Sequence, residues 1–279
     1  MLRQLQGTWV RRQVSRSGGN PRRGHISYDD ITEDLLQHGV SVAEYAVNTD
    51  GFEAYVGEAG YARRSYYEGG HEHGAREKYL EHFVSLALMA PKPGQVLIDV
   101  ASMNSPFSEI TAELFDLETY RQDLMYPEGK IGRQIGGDAA SMPIPDQFAD
   151  HLTLHCSFEH FEGDSDSRFI REAERVLKPG GKLCILPLYT SRIYAHQGHA
   201  RGWRSFRAPF ETGDVVYVAD QWGPPYARFY NAAALAERVL SNLGNLRLQI
   251  LRVTNTDDCG DECYLRYVAL FEKPANGAR

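Results

Sequence analysis

The chain has 279 residues, 42% of them hydrophobic and 24% charged, which suits one large domain or a core domain with an elaborated arm and excludes a mainly disordered chain. A formal net charge of −7 argues against a general nucleic-acid binder, and no apolar run approaches the length of a membrane span. Cys156, Cys184, Cys259 and Cys263 are too few for a disulfide framework, and the start Met1-Leu2-Arg3-Gln4 lacks an apolar leader core, so the chain reads as cytoplasmic.

Residues 1–27 read as a flexible basic arm. Arg3, Arg11, Arg12, Arg16, Arg22 and Arg23 occur with no acid before Gly24, among Gly18, Gly19 and Pro21. A solvated tail and an anion-binding arm both fit that composition. Residues 28–90 read as an N-terminal helical cap. Asp34, Leu35, Leu36 and Val40 suggest a short helix, and Leu80, Phe83, Val84, Ala87 and Leu88 place a longer one over 75–89. Between them Tyr55, Tyr61, Tyr66, Tyr67, Gly69, Gly70, His71, His73 and Gly74 suit either a closing loop or an irregular packed connector. His71 and His73 lack a third ligand in reach, and Cys259 with Cys263 offers half a zinc site, so no metal is expected.

After Pro91-Lys92-Pro93-Gly94, strands and helices alternate. Strands are expected over 95–100, 119–121, 132–136, 149–154 and 182–186, with helices over 106–114, 167–177 and 231–243. Two β runs, 246–253 and 264–271, close the chain as an antiparallel hairpin at the sheet edge. Residues 91–279 thus read as an α/β domain: a doubly wound, mostly parallel, Rossmann-like sheet with a C-terminal antiparallel hairpin.

In such sheets ligands bind beyond the carboxyl ends of the strands. The first turn, Ala101-Ser102-Met103-Asn104-Ser105-Pro106, contains no glycine, although Ala101, Met103 and Ser105 stand where three would be expected. Small Ala101 and Ser102 still allow fairly close approach, and Ser105 can cap the next helix. Asp123 follows Asp99 by 24 residues, near the spacing of an acid that accepts ribose hydroxyls, though a solvated loop acid fits as well. Asp138 with Ala139 follows the third strand, within reach of an adenine amine.

The stretch Gly137-Asp138-Ala139-Ala140-Ser141-Met142-Pro143-Ile144-Pro145, with Ser157-Phe158-Glu159-His160-Phe161 and Arg175-Val176-Leu177-Lys178-Pro179-Gly180-Gly181, resembles class I S-adenosylmethionine-dependent methyltransferases of the type 11 branch. The likeness covers roughly 95–186. It implies S-adenosylmethionine as cofactor, held by Asp99, Ala101, Ser102, Asp123, Asp138, Ala139 and Ser157. It also makes His160 the candidate catalytic base, with a structural histidine as the competing reading. His155, at a strand end, reads as a core residue.

The long connection 188–229 reads as a substrate-lid insert. Arginines 192, 201, 204, 207 and 228 are interleaved with Tyr189, Tyr194, Trp203, Trp222 and Tyr226. That mix suits an anionic or sugar-like small-molecule acceptor, with Tyr189, Arg192 and Tyr194 as binding residues; an interface in a homo-oligomer fits it equally. The expected activity is methyl transfer to an oxygen or nitrogen. The missing glycines support a rival, a non-catalytic pseudo-methyltransferase acting as a binding or scaffold subunit. A nucleic-acid methyltransferase is disfavoured because Cys156-Ser157-Phe158-Glu159 stands where an Asn/Asp-Pro-Pro-aromatic tetrad would be needed.

Overall fold

The computed structural model describes residues 27–64, 75–199, 215–219 and 226–275. In chain order they form α1 (Tyr28–Gln37), β1 (Val42–Tyr45), α2 (Thr49–Ala59), α3 (Ala75–Met89), β2 (Val96–Val100), α4 (Phe107–Phe115), β3 (Glu118–Ile131) and β4 (Gln134–Gly136). There follow β5 (Ala149–His155), α5 (Ser165–Val176), β6 (Leu177–Leu186), β7 (Ala195–His199), β8 (Val215–Ala219), β9 (Ala227–Phe229), α6 (Ala232–Arg238), β10 (Arg247–Val253) and β11 (Tyr267–Glu272). Arginines 3 to 23 of the basic arm, Tyr66, Tyr67, His71, His73, arginines 201, 204 and 207, Trp203 and Trp222 lie outside the described residues. The chain divides into a larger unit (41–158, 167–188 and 242–279) and a smaller one (1–40, 159–166 and 189–241).

The larger unit is built on an eight-stranded sheet of order β1-β10-β11-β6-β5-β2-β3-β4. Strand β2 pairs in parallel with both β3 and β5, and β5 pairs in parallel with β6. Strand order therefore reverses between β2 and β5. All five residues of β2 are buried, as expected for a strand flanked on both edges and covered on both faces. The sheet is the Rossmann-like α/β arrangement expected from the alternation.

Three local readings need correction. Strand β3 runs for 14 residues, well beyond the short strand expected around 119–121. Its first half pairs in parallel with β4, after which the chain turns back so that Lys130 faces Ile135 and Ile131 faces Gln134. This return passes so close to Gly136 that a Cβ there would lie 1.9 Å from the Pro127 carbonyl oxygen, so only glycine fits. The hairpin of β10 and β11 is antiparallel, as expected, but β1 adds in parallel to β10, so the hairpin does not form the edge. A strand of four residues, none of them fully buried, leaves too weak a pattern to read. Finally, Tyr55 lies in α2, a helix capped by the Asn48 side chain and ended by left-handed Gly60. Its Phe52 and Tyr55 join Leu80, Val84, Leu97, Phe107 and Val268 in the core.

In the smaller unit, β7 pairs in parallel with β8 and antiparallel with β9, and α1 packs on α6. A buried charge cluster holds this unit together. Asp166 accepts hydrogen bonds from Tyr230 Oη at 2.7 Å, from Arg238 Nε at 2.8 Å and from Arg238 Nη2 at 2.7 Å, and also from Arg228 Nη1. Burial opposes the Asp166 charge, but the bonds from Arg238 and the nearby Arg228 charge prevail and keep its carboxyl below the usual range. Removing one member of a buried pair strands its partners. Asp166→Ala is therefore expected to cost about 3–5 kcal/mol in urea unfolding of the full chain; a loss under about 1 kcal/mol would show that the arginines find other partners.

Candidate functional site

The site expected from the sequence lies at the carboxyl ends of β2, β3, β4 and β5, within the larger unit. In the turn after β2, Ala101 and Met103 adopt φ values of 51° and 46°, the left-handed region where glycine is at home. Each costs an L-residue about 1–2 kcal/mol, so something must hold the turn in shape. The end of β3 does so. The Ala101 N–H donates to Gln122 Oε1 at 3.2 Å, the Ser102 N–H to the Gln122 carbonyl at 3.0 Å, and the Met103 N–H to Asp123 Oδ2 at 2.8 Å. Asp123 Oδ1 takes the Met125 N–H at 2.9 Å, and Tyr126 Oη donates to the Met103 carbonyl at 3.0 Å. Ser105 Oγ accepts from the Phe107 N–H at 3.2 Å and so satisfies a free amide at the start of α4.

Asp123 is thus the staple of the first turn as well as a candidate ligand for a sugar hydroxyl. Its oxygens retain lone pairs for a further donor. Met103 and Met125, whose N–H groups bind this carboxylate, and Leu124 between Asp123 and Met125 are 59%, 70% and 77% exposed. At the third turn, Asp138 Oδ1 caps the single helical turn Ala139–Ser141 by accepting the Ala140 N–H at 2.9 Å, while Oδ2 meets Arg168 at 3.2 Å. Ala139 is buried beside it. Gln122 Nε2 donates to the Gly137 carbonyl at 2.6 Å, linking the first and third turns through one side chain.

At the switch point a polar seam runs beneath these turns. Buried Asp99 Oδ1 lies 3.3 Å from His155 Nδ1, and His155 Nε2 lies 3.1 Å from Ser85 Oγ on α3. The same helix buries Glu77, Glu81 and His82; Lys78 Nζ donates to both Glu81 oxygens at 3.0 and 2.9 Å. Cys156, in the turn after β5, has φ 54° and places Sγ 3.4 Å from Tyr264 Oη. Two buried atoms here, Asp99 Oδ2 and Ser157 Oγ, have no hydrogen-bond partner among the described residues. Buried polar atoms are usually paired, so each of these two oxygens suits a polar group of a ligand.

The smaller unit carries the remaining expected residues. His160 Nδ1 is 2.5 Å from the Tyr226 carbonyl oxygen, and Glu159 beside it is buried. Tyr189 is buried with its ring edge-on to Phe229, Arg192 pairs with Asp30 at 3.0 Å, and Tyr194 stands edge-on to His196. Sequence reasoning missed Gln122, Ser85, Lys78, Glu81 and Tyr264, whose proximity depends on tertiary packing. It also left Glu159 unassigned.

Burial pushes the Asp99 carboxyl up to about 7, against a hydrogen bond from Thr153, and holds His155 well below the usual imidazole range. The folded chain therefore binds a proton at Asp99 that the unfolded chain lacks between about pH 4 and 7, and this group's contribution to stability falls as pH rises through that window. Asp99→Asn has no carboxyl to ionise. Its stability relative to the parent should rise by about 2–4 kcal/mol between pH 4.5 and pH 8 in urea titrations, with the His155 contribution common to both. Parallel pH profiles would contradict this assignment.

Residues 101–185 match the family model described as a methyltransferase domain. Over 161 residues the chain is 27% identical to a demethylmenaquinone methyltransferase from Listeria welshimeri, covering 52% of this chain and 62% of that protein. Over 68 residues it is 43% identical to a chloroplastic 2-methyl-6-phytyl-1,4-hydroquinone methyltransferase from Spinacia oleracea, covering 23% and 19% of the two chains. The chain thus spans less than two thirds of the length of these relatives. Among solved structures, a 1,6-didemethyltoxoflavin-N1-methyltransferase from Burkholderia thailandensis aligns with TM-score 0.46 and 13% identity over 85% of this chain and 94% of that one. The chain is thus similar to methyltransferase domains over residues 101–185, under a third of its length.

Proposed function

We propose that this chain is a cytoplasmic methyltransferase that moves the methyl group of S-adenosylmethionine to an oxygen or nitrogen of a small acceptor. The observation that carries the reading is the first turn. Ala101 and Met103 hold left-handed backbone without glycine, and Gln122 and Asp123 fasten them there. Stored backbone strain of this kind marks functional sites.

When bound, the cofactor supplies a sulfonium methyl open to in-line displacement. The residues of this chain then have mainly positioning work. Asp123 receives the ribose hydroxyls, Asp138 and Ala139 receive the adenine edge, and Ala101 and Ser102 allow backbone approach. Asp99 and Ser157, with their unpaired buried oxygens, take polar groups nearer the reacting end. Arg192 and Tyr194 bind the acceptor, with Tyr189 supporting that segment by packing, and His160 is the base.

The names of two relatives favour a second acceptor reading. Both denote quinone-type substrates, in which ionising a ring hydroxyl makes a ring carbon nucleophilic. The demand on the base is the same, but the methyl group ends on carbon. Product analysis by mass spectrometry with a hydroquinone acceptor separates an ether from a ring-methylated product.

Calorimetric titration with S-adenosylmethionine and S-adenosylhomocysteine tests the proposal. Saturable binding is expected, weakened at least about tenfold by Asp123→Ala, which removes charge-assisted bonds worth roughly 1.5–3 kcal/mol. Circular dichroism confirms that the variant is folded. Absence of binding by folded parent protein at millimolar ligand would remove the enzyme reading and favour the scaffold.

A further inference from the structure

Within the larger unit, the buried groups Asp99, His155 and Ser85 have more acceptors than donors unless a proton is placed among them. The His82 carbonyl can only accept, so Ser85 Oγ, 2.8 Å away, gives its one hydrogen there. His155 Nε2, 3.1 Å from the same Oγ, must then be the donor and carry a hydrogen. On the other side of the ring, Nδ1 lies 3.3 Å from Asp99 Oδ1. A neutral ring with Nε2–H and an ionised carboxyl would set two lone pairs against each other. One further proton therefore sits between Asp99 and His155. Whether drawn as acid with imidazole or as carboxylate with imidazolium, the pair is net neutral. Burial favours the uncharged form, pushing the Asp99 carboxyl up to about 7 and the His155 ring well down. The neighbouring charges do not replace that proton. On α3, Lys78 donates to Glu81 and buried His82 bonds to Tyr61. On β3, Arg121 is the register partner of Asp99 but meets Glu109 of α4 at 3.6 Å. Thr153 and Ser105 bring hydroxyls, which ease a carboxylate without neutralising it, and Oδ2 has no hydrogen-bond partner among the described residues.

A cation on Oδ2 can take the place of that proton. We infer that Asp99, His155 and Ser85 form a relay that releases one proton to solvent when the ammonium group of a ligand docks on Asp99 Oδ2. This rests on the methyltransferase reading and adds to it a coupling between ligand charge, pH and α3. The free relay holds three hydrogens, on the Asp99 carboxyl, on Nε2 and on Ser85 Oγ. The bound relay holds two. The carboxyl hydrogen moves to Nδ1, which then donates to Oδ1. Nε2 loses its own hydrogen to solvent and accepts from Ser85 Oγ, which turns away from the His82 carbonyl. That carbonyl keeps its bond within α3. The ammonium charge offsets the new carboxylate, so the buried site is net neutral in both states. A ligand without an ammonium group offers no charge in return for the proton and leaves the relay in its free arrangement. Affinity for the cationic ligand therefore falls about tenfold per unit of pH below the Asp99 titration near 7 and levels off above it.

The test uses the full chain and two thioether nucleosides: S-adenosylhomocysteine, which carries an ammonium group, and 5′-methylthioadenosine, which does not. Calorimetry in buffers of different ionisation enthalpy counts the protons released. At pH 6 the first ligand should release about 0.9 proton, and its affinity should rise at least about fivefold between pH 5.5 and 6.5. The second should release almost none and change less than about twofold. In Asp99→Asn, shown to be folded by circular dichroism, the first ligand should behave as the second does. Long-range proton–nitrogen spectra of chain labelled with 15N-histidine, with His155 assigned by its loss in His155→Gln, read the ring directly. Nε2–H is expected in the free chain and with 5′-methylthioadenosine, and Nδ1–H with S-adenosylhomocysteine. Ser85→Ala, which lacks the donor that Nε2 needs, should keep Nε2–H with either ligand. Equal proton counts for the two ligands, an Nδ1–H ring in the free chain, no tautomer change with S-adenosylhomocysteine, or a Ser85→Ala chain that responds as the parent does would each overturn this inference alone. Binding of neither ligand would overturn the methyltransferase reading and this inference with it.

Discussion

The carboxylate of Asp123 is the constraint on which the strand-end crevice depends. With one oxygen on the Met103 N–H and the other on the Met125 N–H, it ties the turn after β2 to the end of β3. Neighbouring Gln122 extends the tie to Ala101 and across to Gly137. Glycine usually makes a turn of this shape inexpensive by entering the left-handed region freely. Here the same shape is held by hydrogen bonds to residues with side chains, and the backbone strain at Ala101 and Met103 is offset by those bonds. A site lacking its expected glycines can therefore keep its geometry if the neighbouring strand supplies the missing restraint.

Beneath that turn lies the second constraint, the polar face of α3. A helix that buries Glu77, Glu81, His82 and Ser85 would be a poor choice for a purely apolar core. These groups are matched to partners: Lys78 for Glu81, the Tyr264 N–H for Glu77, Tyr61 for His82 and His155 for Ser85. The seam ends at Asp99, whose second oxygen has no hydrogen-bond partner among the described residues. Hydrogen-bonded polar networks fix one arrangement of the elements that share them, and this one joins α3, β2 and β5 at the point where strand order reverses.

Much of this was legible in the sequence because the relevant signals are local. The apolar run at 96–100, the stop Lys178-Pro179-Gly180-Gly181 and the closing pair of β runs each announce an element by composition alone. Helix α2 was not read, although Asn48 and Gly60 mark its two ends, because Gly51, Gly57 and scattered aromatics blur its period. The length of β3 was hidden by Pro127 and Gly129, which signal a turn without saying that the chain resumes pairing after it. Asp99, Asp123 and Asp138 could be chosen from spacing. The same spacing could not show that Asp123 also staples the first turn, since that depends on Met103 and Asp123 meeting across 20 residues of chain.

The most direct test of the central claim is a crystal structure of the chain with S-adenosylhomocysteine. The account predicts a ligand along the ends of β2 and β3, its ribose hydroxyls on Asp123, with Ala101 and Met103 still left-handed and the Met103 N–H still on the carboxylate. A ligand bound elsewhere, or a first turn that must abandon the Asp123 bond to admit it, would contradict the account.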